Sequence, residues 1–437
     1  MPRIKEIIKK LLPKSALGFY HKFLARFAAI VYNNPSKKMV VVGVTGTKGK
    51  TTVGNVLWRL LTDAGFKVGL TGTANYRIGE QEFISHYKMS MLGRFKLQQW
   101  LARMVRAKCQ IAIVETTSEG ISQWRHLGIH YDVCAFTNLY PEHLEAHGSF
   151  ANYKKAKLQL FEHLAALPEK KINNKIITKQ AIINMDNEHA QDFFKIGKYK
   201  KIRIGASIEN EISISDIIEY GNKTTFTLNK IKTEIPLLGF WNVYNVLIAA
   251  GTAEALGVDL ENVAKSLPGI EQIPGRMEHI DCDQSFTVIV DYAHEPKGLE
   301  LLYSFWKKII PAENKLITLI SSTGGGRDQA RRKRNGIIAA KYCDYLIVTD
   351  EDPYDDDPQK IINEVATGAI EAGAVLDQNM WKILDRREAI RKAFSLAQAN
   401  DVVFLTAKGA EQCMVIKNGQ KIPWDDRKVA REELVKK

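Results

Sequence analysis

A glycine- and lysine-rich loop carries the clearest chemical signal in the sequence. It reads GTKGKTT over residues 46–52, directly after a short β-branched run and directly before a helical pattern. Glycines allow backbone N–H groups to approach phosphate oxygens, and the start of a helix favours an anion. In such a loop Lys50 is expected to contact the β- and γ-phosphates of a nucleotide, and Thr51 to bind Mg²⁺ through its hydroxyl. The strict phosphate-loop pattern has glycine where this sequence has Val44, so an ordinary surface turn stays the alternative.

Two further residues of chemical interest follow predicted strands. Glu115 comes directly after the apolar run 110–114, and His143 follows the run 132–137 after a short polar segment. Ligands of an open α/β sheet bind at the carboxyl ends of its strands. An acid and a neutral imidazole at that edge therefore predict ligands for Mg²⁺. Taken alone, the glutamate could cap a helix and the histidine could be structural.

Short apolar strands alternate with helical patterns in two series, which predicts a doubly wound α/β fold. The strands of the first series are 39–44, 67–71, 110–114 and 132–137, and those of the second are 286–291, 315–320, 345–349 and 401–406. The first series places the phosphate loop and Glu115 at the ends of neighbouring strands, as a nucleotide site requires.

The chain divides by pattern into three parts. Residues 200–235 look like short strands joined by turns and predict a small side sheet, and Pro274-Gly275-Arg276 predicts a hinge. We therefore expect a basic helical segment at 1–38, a phosphate-loop domain at 39–274 and a C-terminal α/β domain at 275–437.

The composition excludes several classes of protein. The 437 residues are 45% hydrophobic and 25% charged, which is typical of globular rather than disordered chains. No apolar run approaches the roughly 18 residues that span a bilayer. The five cysteines are too scattered for a disulfide scaffold or a zinc ribbon. Unpaired cysteines and the lack of a signal-peptide pattern predict a cytoplasmic protein.

The net charge of +13 is concentrated near the N-terminus. Residues 1–38 contain nine Lys or Arg and one acid, Glu6, and so hold +8 of that charge. The rest of the chain is only mildly basic. We therefore expect no nucleic-acid partner.

The basic segment also has two apolar patterns at helical spacing. They cover residues 4–12 and 16–32, and the second includes Phe19, Phe23 and Phe27. Two interpretations stay open. The segment could be an interfacial helix that brings the protein to an anionic or lipid-linked substrate at the inner face of the membrane. Alternatively, its aromatic residues could cover the first sheet.

A series of motifs runs through the chain in one order. They are GTKGKTT (46–52), VETTS (114–118), TNLYPEHLEAHGSFANYKKAK (137–157), GFWNVYN (239–245), GRME (275–278), DYAHEP (291–296) and WDDRKVARE (424–432). This series resembles the Mur ligase family, and within it the MurE-type ligases. The resemblance covers residues 40–437 without large gaps, and the combination of motifs is far more specific than the loop alone.

The resemblance implies an ATP-dependent ligase that forms an amide bond. ATP phosphorylates a substrate carboxylate, the amine of an amino acid attacks the acyl phosphate, and loss of phosphate leaves the amide. The implied cofactors are ATP and Mg²⁺ at two sites. The implied acceptor is a muropeptide-like carboxylate of peptidoglycan-type precursor synthesis. Positive charge from Lys50 and Mg²⁺ would stabilise the charge that develops at the γ-phosphate.

The resemblance also implies roles for individual residues. The implied catalytic set is Lys50, Glu115, His143 and Lys157, the lysine as its carbamate. The implied Mg²⁺ ligands are Thr51, Glu115, His143 and carbamylated Lys157. Further nucleotide contacts are implied at Gly46, Thr47, Lys48, Gly49, Thr52, Asn242, Arg276, Asp291 and His294. Substrate contacts are implied at Thr117, Ser118, Gln123, Arg125, Arg327, Glu351, Asp352, Tyr354 and Glu411.

Departures from the family pattern bear on the substrates. The selectivity motif reads Glu351-Asp352-Pro353-Tyr354, without the arginine of the diaminopimelate enzymes. With Glu411 it supplies three acids, which predict an incoming amino acid with a cationic side chain. Ser90-Met91-Leu92 stands where the family has a peptide-binding Thr-Thr-Pro, and Thr117-Ser118-Glu119 lacks a family histidine. The phosphate loop begins by residue 46, so we expect the N-terminal segment to replace the family's uridine-nucleotide domain.

Two alternatives to a MurE-type ligase stay open. Folylpolyglutamate synthetases and the ligase portion of cyanophycin synthetase also lack the uridine-nucleotide domain. A nucleotide-binding scaffold could also keep the loop without ligation. Glu115, His143 and Lys157 together favour an enzyme over a scaffold. DYAHEP (291–296) and GGGRD (324–328) favour the MurE type.

Overall fold

The computed structural model describes residues 14–85, 87–142, 144–326 and 329–435, without the side chains of residues 14–16 and 144. The chain forms two compact units. The first extends to Ile270, and the second begins at Glu271 and also takes in residues 84, 85 and 220–222.

The α-helices are numbered in chain order. They are α1 (Lys14–Val31), α2 (Lys50–Asp63), α3 (Arg94–Arg106), α4 (Ser118–Ser122), α5 (Leu144–His147), α6 (Phe150–Ala166), α7 (Ala190–Phe194), α8 (Phe240–Ala255), α9 (Leu260–Ser266), α10 (Pro296–Ile309), α11 (Ala330–Tyr342), α12 (Pro358–Glu371), α13 (Arg386–Leu396) and α14 (Asp426–Val435). Short 3₁₀ turns include Pro35–Lys37 and Arg125–Gly128.

The strands are numbered in the same way. They are β1 (Val40–Thr45), β2 (Val68–Thr71), β3 (Asn75–Ile78), β4 (Gln81–Ile84), β5 (Ile111–Glu115), β6 (Val133–Phe136), β7 (Lys170–Ile172), β8 (Lys175–Ile177), β9 (Gln180–Asn184), β10 (Lys200–Gly205), β11 (Ile212–Glu219), β12 (Thr224–Leu228), β13 (Ile231–Ile235), β14 (Glu278–Ile280), β15 (Thr287–Val290), β16 (Leu316–Ile320), β17 (Tyr345–Val348), β18 (Met380–Lys382), β19 (Val402–Leu405), β20 (Cys413–Val415) and β21 (Lys421–Pro423).

The first unit is built on an eleven-stranded sheet with β1 near its centre. The strand order is β13-β12-β11-β10-β9-β6-β1-β5-β2-β3-β4. Strand β1 pairs in parallel with β5 and β6, which pair in parallel with β2 and β9 in turn. Both faces of such strands are buried, which explains why β1 reads VVVGVT rather than alternating with polar residues. The carboxyl ends of these strands lie along one edge, where the phosphate loop begins.

Residues 200–235 extend this sheet instead of forming a separate one, so the predicted side sheet is wrong. Strand β9, which the sequence analysis did not identify, pairs in parallel with both β6 and β10. Strand β11 then joins β10 through two residue pairs, Ile204 with Ile212 and Gly205 with Ser213. The antiparallel strands β12 and β13 complete that end of the sheet.

The second unit contains a six-stranded sheet of order β14-β15-β19-β16-β17-β18. All its strands pair in parallel except β14, which is antiparallel to β15. The four predicted strands of the second series correspond to β15, β16, β17 and β19. The predicted α/β fold class is therefore confirmed.

Helix α1 corresponds to the predicted helix at 16–32, whereas the predicted helix at 4–12 lies outside the described residues. Phe19, Phe23 and Phe27 are 75%, 55% and 43% exposed. The interpretation in which they cover the first sheet is therefore wrong. The helix packs through its small side chains. Those that are buried are Ala25, Ala28 and Ala29.

No helix among the described residues is both long enough and apolar enough to cross a bilayer.

Candidate active site

The phosphate loop requires glycine at two positions. Gly46 has φ of 154°, and a Cβ there would lie 1.8 Å from Thr137 Oγ1. Gly49 has φ of 83°, and a Cβ there would lie 2.0 Å from Asn245 Oδ1. Any other residue would meet a neighbour in a conformation that L side chains rarely adopt. Gly49 directly precedes α2, so the loop leads into a helix N-terminus.

The segment after β6 holds the loop in place. The Thr47 N–H donates to the Asn138 carbonyl at 2.9 Å, and the Lys48 N–H donates to Asn138 Oδ1 at 2.9 Å. The Thr137 hydroxyl donates to the Lys48 carbonyl at 2.8 Å. The Lys48 ammonium pairs with Glu142 at 2.6 Å. Asn138 and Glu142 were not assigned roles from the sequence, although both lie in the TNLYPE motif.

Lys50 and Thr51 begin α2 and point to different partners. The Lys50 Nζ atom donates to the carbonyls of Gly46 and Thr47, both at 2.9 Å. The Thr51 hydroxyl donates to Glu115 Oε2 at 3.1 Å. The loop thus holds an ammonium group and, beside it, a hydroxyl–carboxylate pair.

Glu115 ends β5 and is almost completely buried. Its two oxygens accept hydrogen bonds from the Thr73 N–H at 2.8 Å and the Thr73 hydroxyl at 2.9 Å. Thr73 was missed in the sequence, but it follows β2, which places it at the same sheet edge as Glu115. The hydroxyl and carboxylate oxygens of Thr51 and Glu115 are donors that Mg²⁺ prefers. Across the described residues, no cluster of three or more His, Cys, Asp or Glu side chains forms a complete metal site.

Lys157 reaches the same loop from α6. Its side chain is 1% exposed, and its Nζ atom donates to the Gly46 carbonyl at 2.7 Å. The Nζ atom also lies 4.6 Å from the centre of the Tyr153 ring, whose hydroxyl is hydrogen-bonded to the Thr47 hydroxyl at 2.9 Å. Burial, with a smaller contribution from the nearby Lys50, holds the pKa of Lys157 well below its usual range.

Asn242 and Thr52 complete the described surroundings of the loop, and both are buried. The Asn242 amide donates to the Leu238 carbonyl at 2.8 Å and accepts from Asn245 Nδ2 at 3.0 Å. Asn245 in turn abuts Gly49, since its Oδ1 occupies the place that a Cβ there would need. Helix α8 thus connects Asn242 to the phosphate loop through one side chain.

Helix α4 packs against α6, the helix that carries Lys157. Thr117 caps α4 by accepting a hydrogen bond from the Gly120 N–H at 3.2 Å. The Ser118 hydroxyl and His147 Nε2 lie 3.2 Å apart. Burial and the charge of Lys157 lower the pKa of His147. His147 was not assigned a role from the sequence, and it stands here beside the segment that lacks the family histidine.

Gln123 and Arg125 form the turn that follows α4. Arg125 donates to Gln123 Oε1 at 2.7 Å and also to the carbonyl of Met91. Gln123 donates to Glu119 Oε1 at 2.9 Å. Partial burial lowers the pKa of Arg125. This turn therefore contacts the 90–92 segment that differs from the family pattern.

In the second unit, Asp291 binds the segment that contains Arg276. Its carboxylate accepts hydrogen bonds from the N–H groups of Met277 and Ala293, both at 2.7 Å. The Arg276 guanidinium lies 4.4 Å from the centre of the Tyr292 ring. His294 Nδ1 donates to the Tyr292 carbonyl at 2.7 Å. These three predicted nucleotide contacts are thus neighbours.

The predicted acid cluster of the second unit contains its own buried cation. Lys408 is completely buried, and its Nζ atom lies 2.6 Å from Glu411 Oε2 and 3.2 Å from Asp352 Oδ1. Burial opposes the charge of Lys408, but Glu411 and Asp352 outweigh it and raise its pKa. Glu351 accepts hydrogen bonds from two hydroxyls, those of Ser321 at 3.2 Å and Thr323 at 3.1 Å. No role was assigned to Lys408 from the sequence.

Two features complete the acid cluster. Tyr354 has φ of 52°, and its N–H donates to the Val415 carbonyl at 3.1 Å. Burial raises the pKa of Asp350, next to Glu351, to about 6. The strained backbone at Tyr354 is held by the same strand, β20, that donates to Asp352.

The predicted site residues thus fall into separate groups. The described residues around the phosphate loop converge within the first unit, and the acid cluster and the Asp291 group each form within the second. His143 and Arg327 lie outside the described residues.

Comparison with known proteins agrees with these groupings. Residues 44–253 match the Mur ligase middle domain, and residues 275–409 match the family described as the Mur ligase, glutamate ligase domain. A UDP-N-acetylmuramoyl-L-alanyl-D-glutamate–2,6-diaminopimelate ligase from Syntrophomonas wolfei is 35% identical over 94% of this chain and 81% of its own. A UDP-N-acetylmuramyl-tripeptide synthetase from Roseiflexus is 35% identical over 94% and 81% of the respective chains.

Solved structures show the same similarity. One of a UDP-N-acetylmuramoyl-L-alanyl-D-glutamate–2,6-diaminopimelate ligase has a TM-score of 0.61 at 26% identity, over 94% of this chain and 81% of its own. Folylpolyglutamate synthase of Mycobacterium tuberculosis has a TM-score of 0.66 at 15% identity, over 93% and 95% of the two chains. At that identity the second similarity concerns the fold alone. From the domain matches, the identities and the motif order together, the chain belongs to the Mur ligase family.

Proposed function

We propose that this protein is an ATP-dependent carbon–nitrogen ligase of the MurE type, acting in the synthesis of a peptidoglycan-type precursor. The observation that carries the proposal is the convergence of Lys50, the Thr51–Glu115 pair and Lys157 on one phosphate loop. The reaction activates an acceptor carboxylate as an acyl phosphate, with release of ADP. The amine of an amino acid then attacks the acyl carbon, and phosphate leaves as the amide forms.

The loop supplies positive charge and oriented N–H groups where the nucleotide phosphates would bind. Lys50 now donates to two loop carbonyls, and its ammonium can exchange these partners for phosphate oxygens without leaving the loop. Thr51 and Glu115 provide oxygen donors suited to Mg²⁺, which would stabilise negative charge on the phosphates. His143 is proposed as a further ligand, at a second Mg²⁺ site.

Lys157 is proposed to act as its carbamate. A lysine can react with CO₂ only as the neutral amine, and burial favours the neutral form of Lys157. The nitrogen of the neutral amine forms a bond to the carbon of CO₂ and loses one proton to solvent, which converts a neutral group into an anion. That anion would lie beside Lys50 and would suit Mg²⁺, whereas an ammonium group would repel the metal.

The acceptor is proposed to bind at Thr117, Ser118, Gln123 and Arg125. These residues lie between the phosphate loop and the 90–92 segment, and they offer hydroxyl, amide and guanidinium groups to a peptide. Because that segment departs from the family pattern, we expect the acceptor to be muropeptide-like but bound through different contacts.

The incoming amino acid is proposed to carry a cationic side chain. Tyr354 stands where the diaminopimelate enzymes have an arginine, and a phenol cannot form the bidentate pair that arginine makes with a carboxylate. Lys408 neutralises part of the charge of Asp352 and Glu411, so Glu351 is the acid we expect to face the substrate. We expect lysine to be preferred over diaminopimelate.

A phosphate-release assay tests the proposal. Purified protein, ATP and Mg²⁺ are combined with nucleotide-linked, lipid-linked or free muropeptides, crossed with lysine, diaminopimelate and neutral amino acids. We expect release that requires both an acceptor and an amino acid, greatest with lysine. Activity on folyl acceptors with glutamate would favour the folylpolyglutamate alternative. ATP hydrolysis independent of any amino acid would favour the scaffold alternative.

The enzyme is further proposed to act in the cytoplasm, on an acceptor that is anionic or lipid-linked. The support for this part is the strongly basic N-terminal segment, including the exposed side chains of α1.

A further inference from the structure

Helix α1 turns its aromatic side chains outward. Phe19, Phe23 and Phe27 recur every four residues, so they lie on one face of the helix, and 43–75% of each residue is exposed. Ile30 lies on the same face and is 64% exposed. A surface helix of a globular protein normally buries its apolar stripe. In α1 the stripe faces solvent instead, while the small alanines are buried.

Helix α3 extends this exposed stripe sideways. Phe95, at the beginning of α3, is 40% exposed and packs edge-on against Phe27 with ring centres 6.3 Å apart. The Arg94 side chain donates to the His21 carbonyl at 3.2 Å, which joins the two helices. We use the term basic–aromatic face for the apolar side chains Phe19, Phe23, Phe27, Ile30 and Phe95 together with the cations Lys22, Arg26, Arg94 and Lys96.

The charges of this face have one sign. Helix α1 contains three Lys or Arg residues, helix α3 contains four, and neither contains Asp or Glu. Those with described side chains are Lys22, Arg26, Arg94, Lys96, Arg103 and Arg106. Moreover, residues 7–62 include no acid. Such a face attracts an anionic surface and repels a second copy of itself.

We infer that the basic–aromatic face docks the protein on a lipid bilayer that carries anionic phospholipid headgroups. The rings enter the boundary between headgroups and acyl chains, and the surrounding cations contact the headgroups. A helix of 18 residues is about 27 Å long, so α1 can lie in the plane of the membrane. The high exposure of each ring suits a flat, deformable surface better than the closed pocket of a protein partner.

The position of this face connects it with the acceptor residues. Lys22 Nζ lies 4.2 Å from the centre of the Trp124 ring, and Arg94 donates to the Gln123 carbonyl. Both contacts join the face to the turn that carries Gln123 and Arg125. A bilayer docked there would lie beside the acceptor site, which suits a lipid-linked acceptor. Only this consequence rests on the proposed function.

Vesicle co-sedimentation tests the docking. The full chain is mixed with vesicles of phosphatidylcholine alone, or of phosphatidylcholine with phosphatidylglycerol, at low and at about 0.1 M salt. The parent is compared with Phe23→Ser/Phe27→Ser and with Arg26→Gln/Lys96→Gln. Matched controls change exposed residues elsewhere on the same unit. They are Ile176→Ser/Ile208→Ser and Lys171→Gln/Lys175→Gln.

We expect the parent and both controls to bind anionic vesicles and not to bind neutral ones. Binding to the anionic vesicles should be weaker at the higher salt concentration. One cation near an anionic surface contributes about fivefold to binding. Arg26→Gln/Lys96→Gln should therefore bind at least about tenfold more weakly, and Phe23→Ser/Phe27→Ser should also bind more weakly because it removes two apolar rings. The midpoint of thermal unfolding is measured for each variant. A midpoint close to that of the parent establishes that the substitutions have not disturbed the fold.

The docking inference is overturned if the parent does not prefer anionic vesicles, or if the face variants bind like the controls. Self-association that Phe23→Ser/Phe27→Ser abolishes, without vesicle binding, would assign the face to a second copy and would also overturn it. The vesicle assay needs no substrate. Vesicle binding in a protein without ligase activity would therefore contradict the proposed function and leave the docking inference standing.

Discussion

The Nζ atom of Lys157 donates a hydrogen bond to the carbonyl oxygen of Gly46, 2.7 Å away and 111 positions earlier in the chain. A buried amine is thereby fixed at the first glycine of the phosphate loop. Lys50 donates to the same carbonyl at 2.9 Å. Because both side chains donate to one oxygen, the charge of Lys50 adds to burial in favouring the neutral amine at Lys157.

Replacement of Lys157 tests its proposed chemistry. We expect Lys157→Ala to lose ligation and to regain part of it when short carboxylates are added, because these can supply the missing anion. Activity is measured as amino-acid-dependent phosphate release, with Lys155→Ala, an exposed neighbour on the same helix, as the control. An active Lys157→Ala, together with a parent enzyme indifferent to bicarbonate, would contradict the carbamate.

Lys50 is expected to be essential for turnover. Lys50→Ala removes the charge that stabilises the β- and γ-phosphates in the transition state, so phosphate release should fall at least about 100-fold. The exposed Lys175→Ala serves as the matched control and should retain the parent rate. Near-normal release by a correctly folded Lys50→Ala would show that the loop does not act on phosphate in the proposed way.

Glu115 is expected to set the Mg²⁺ requirement. Glu115→Gln keeps the shape of the side chain but removes the charge beside Thr51, so the Mg²⁺ concentration for half-maximal activity should rise about tenfold or more. Glu188→Gln, at an exposed acid whose side chain is 73% accessible, is the control. An unchanged Mg²⁺ titration would place the metal elsewhere.

Elements and residues that depend on a local sequence pattern could be predicted, whereas roles that depend on contacts between distant segments could not. Strands β1, β5 and β6 were predictable because fully buried strands read as unbroken apolar runs, and Glu115 followed from its place at the end of one. Thr73, Asn138 and Lys408 were not, because their roles arise from contacts between segments far apart in the chain. Strand β9 was missed because its short run QAIIN lacks a distinct pattern, and with it the continuity of the large sheet was missed.

The stability of the first unit should depend on pH through His126. This side chain is buried between Trp124 and His163, and burial, followed by the effect of His163, lowers its pKa to about 3. Between pH of about 3 and about 6.5, His126 is protonated in the unfolded chain and neutral in the folded chain. The free energy of unfolding should therefore fall as pH decreases from about 6.5 towards 3.

His126→Phe isolates this contribution because it keeps a ring of similar shape. Its free energy of unfolding, measured by denaturant titration at several pH values, should fall less steeply than that of the parent over the same range. Each unit by which the pKa is lowered corresponds to about 1.4 kcal/mol, so the two profiles should separate clearly by pH of about 4. Parallel profiles would show that His126 does not govern the acid sensitivity.

An isotope measurement determines whether the protein activates a carboxylate by phosphorylation. The acceptor carboxylate is labelled with ¹⁸O and incubated with the protein, ATP, Mg²⁺ and lysine, and the released phosphate is analysed by mass spectrometry. When an acyl phosphate is attacked by an amine, the oxygen that bridges carbon and phosphorus leaves with the phosphate. We therefore predict one ¹⁸O atom in each phosphate released during amide formation. Phosphate that contains only unlabelled oxygen, released at the same rate as the amide forms, would contradict the account.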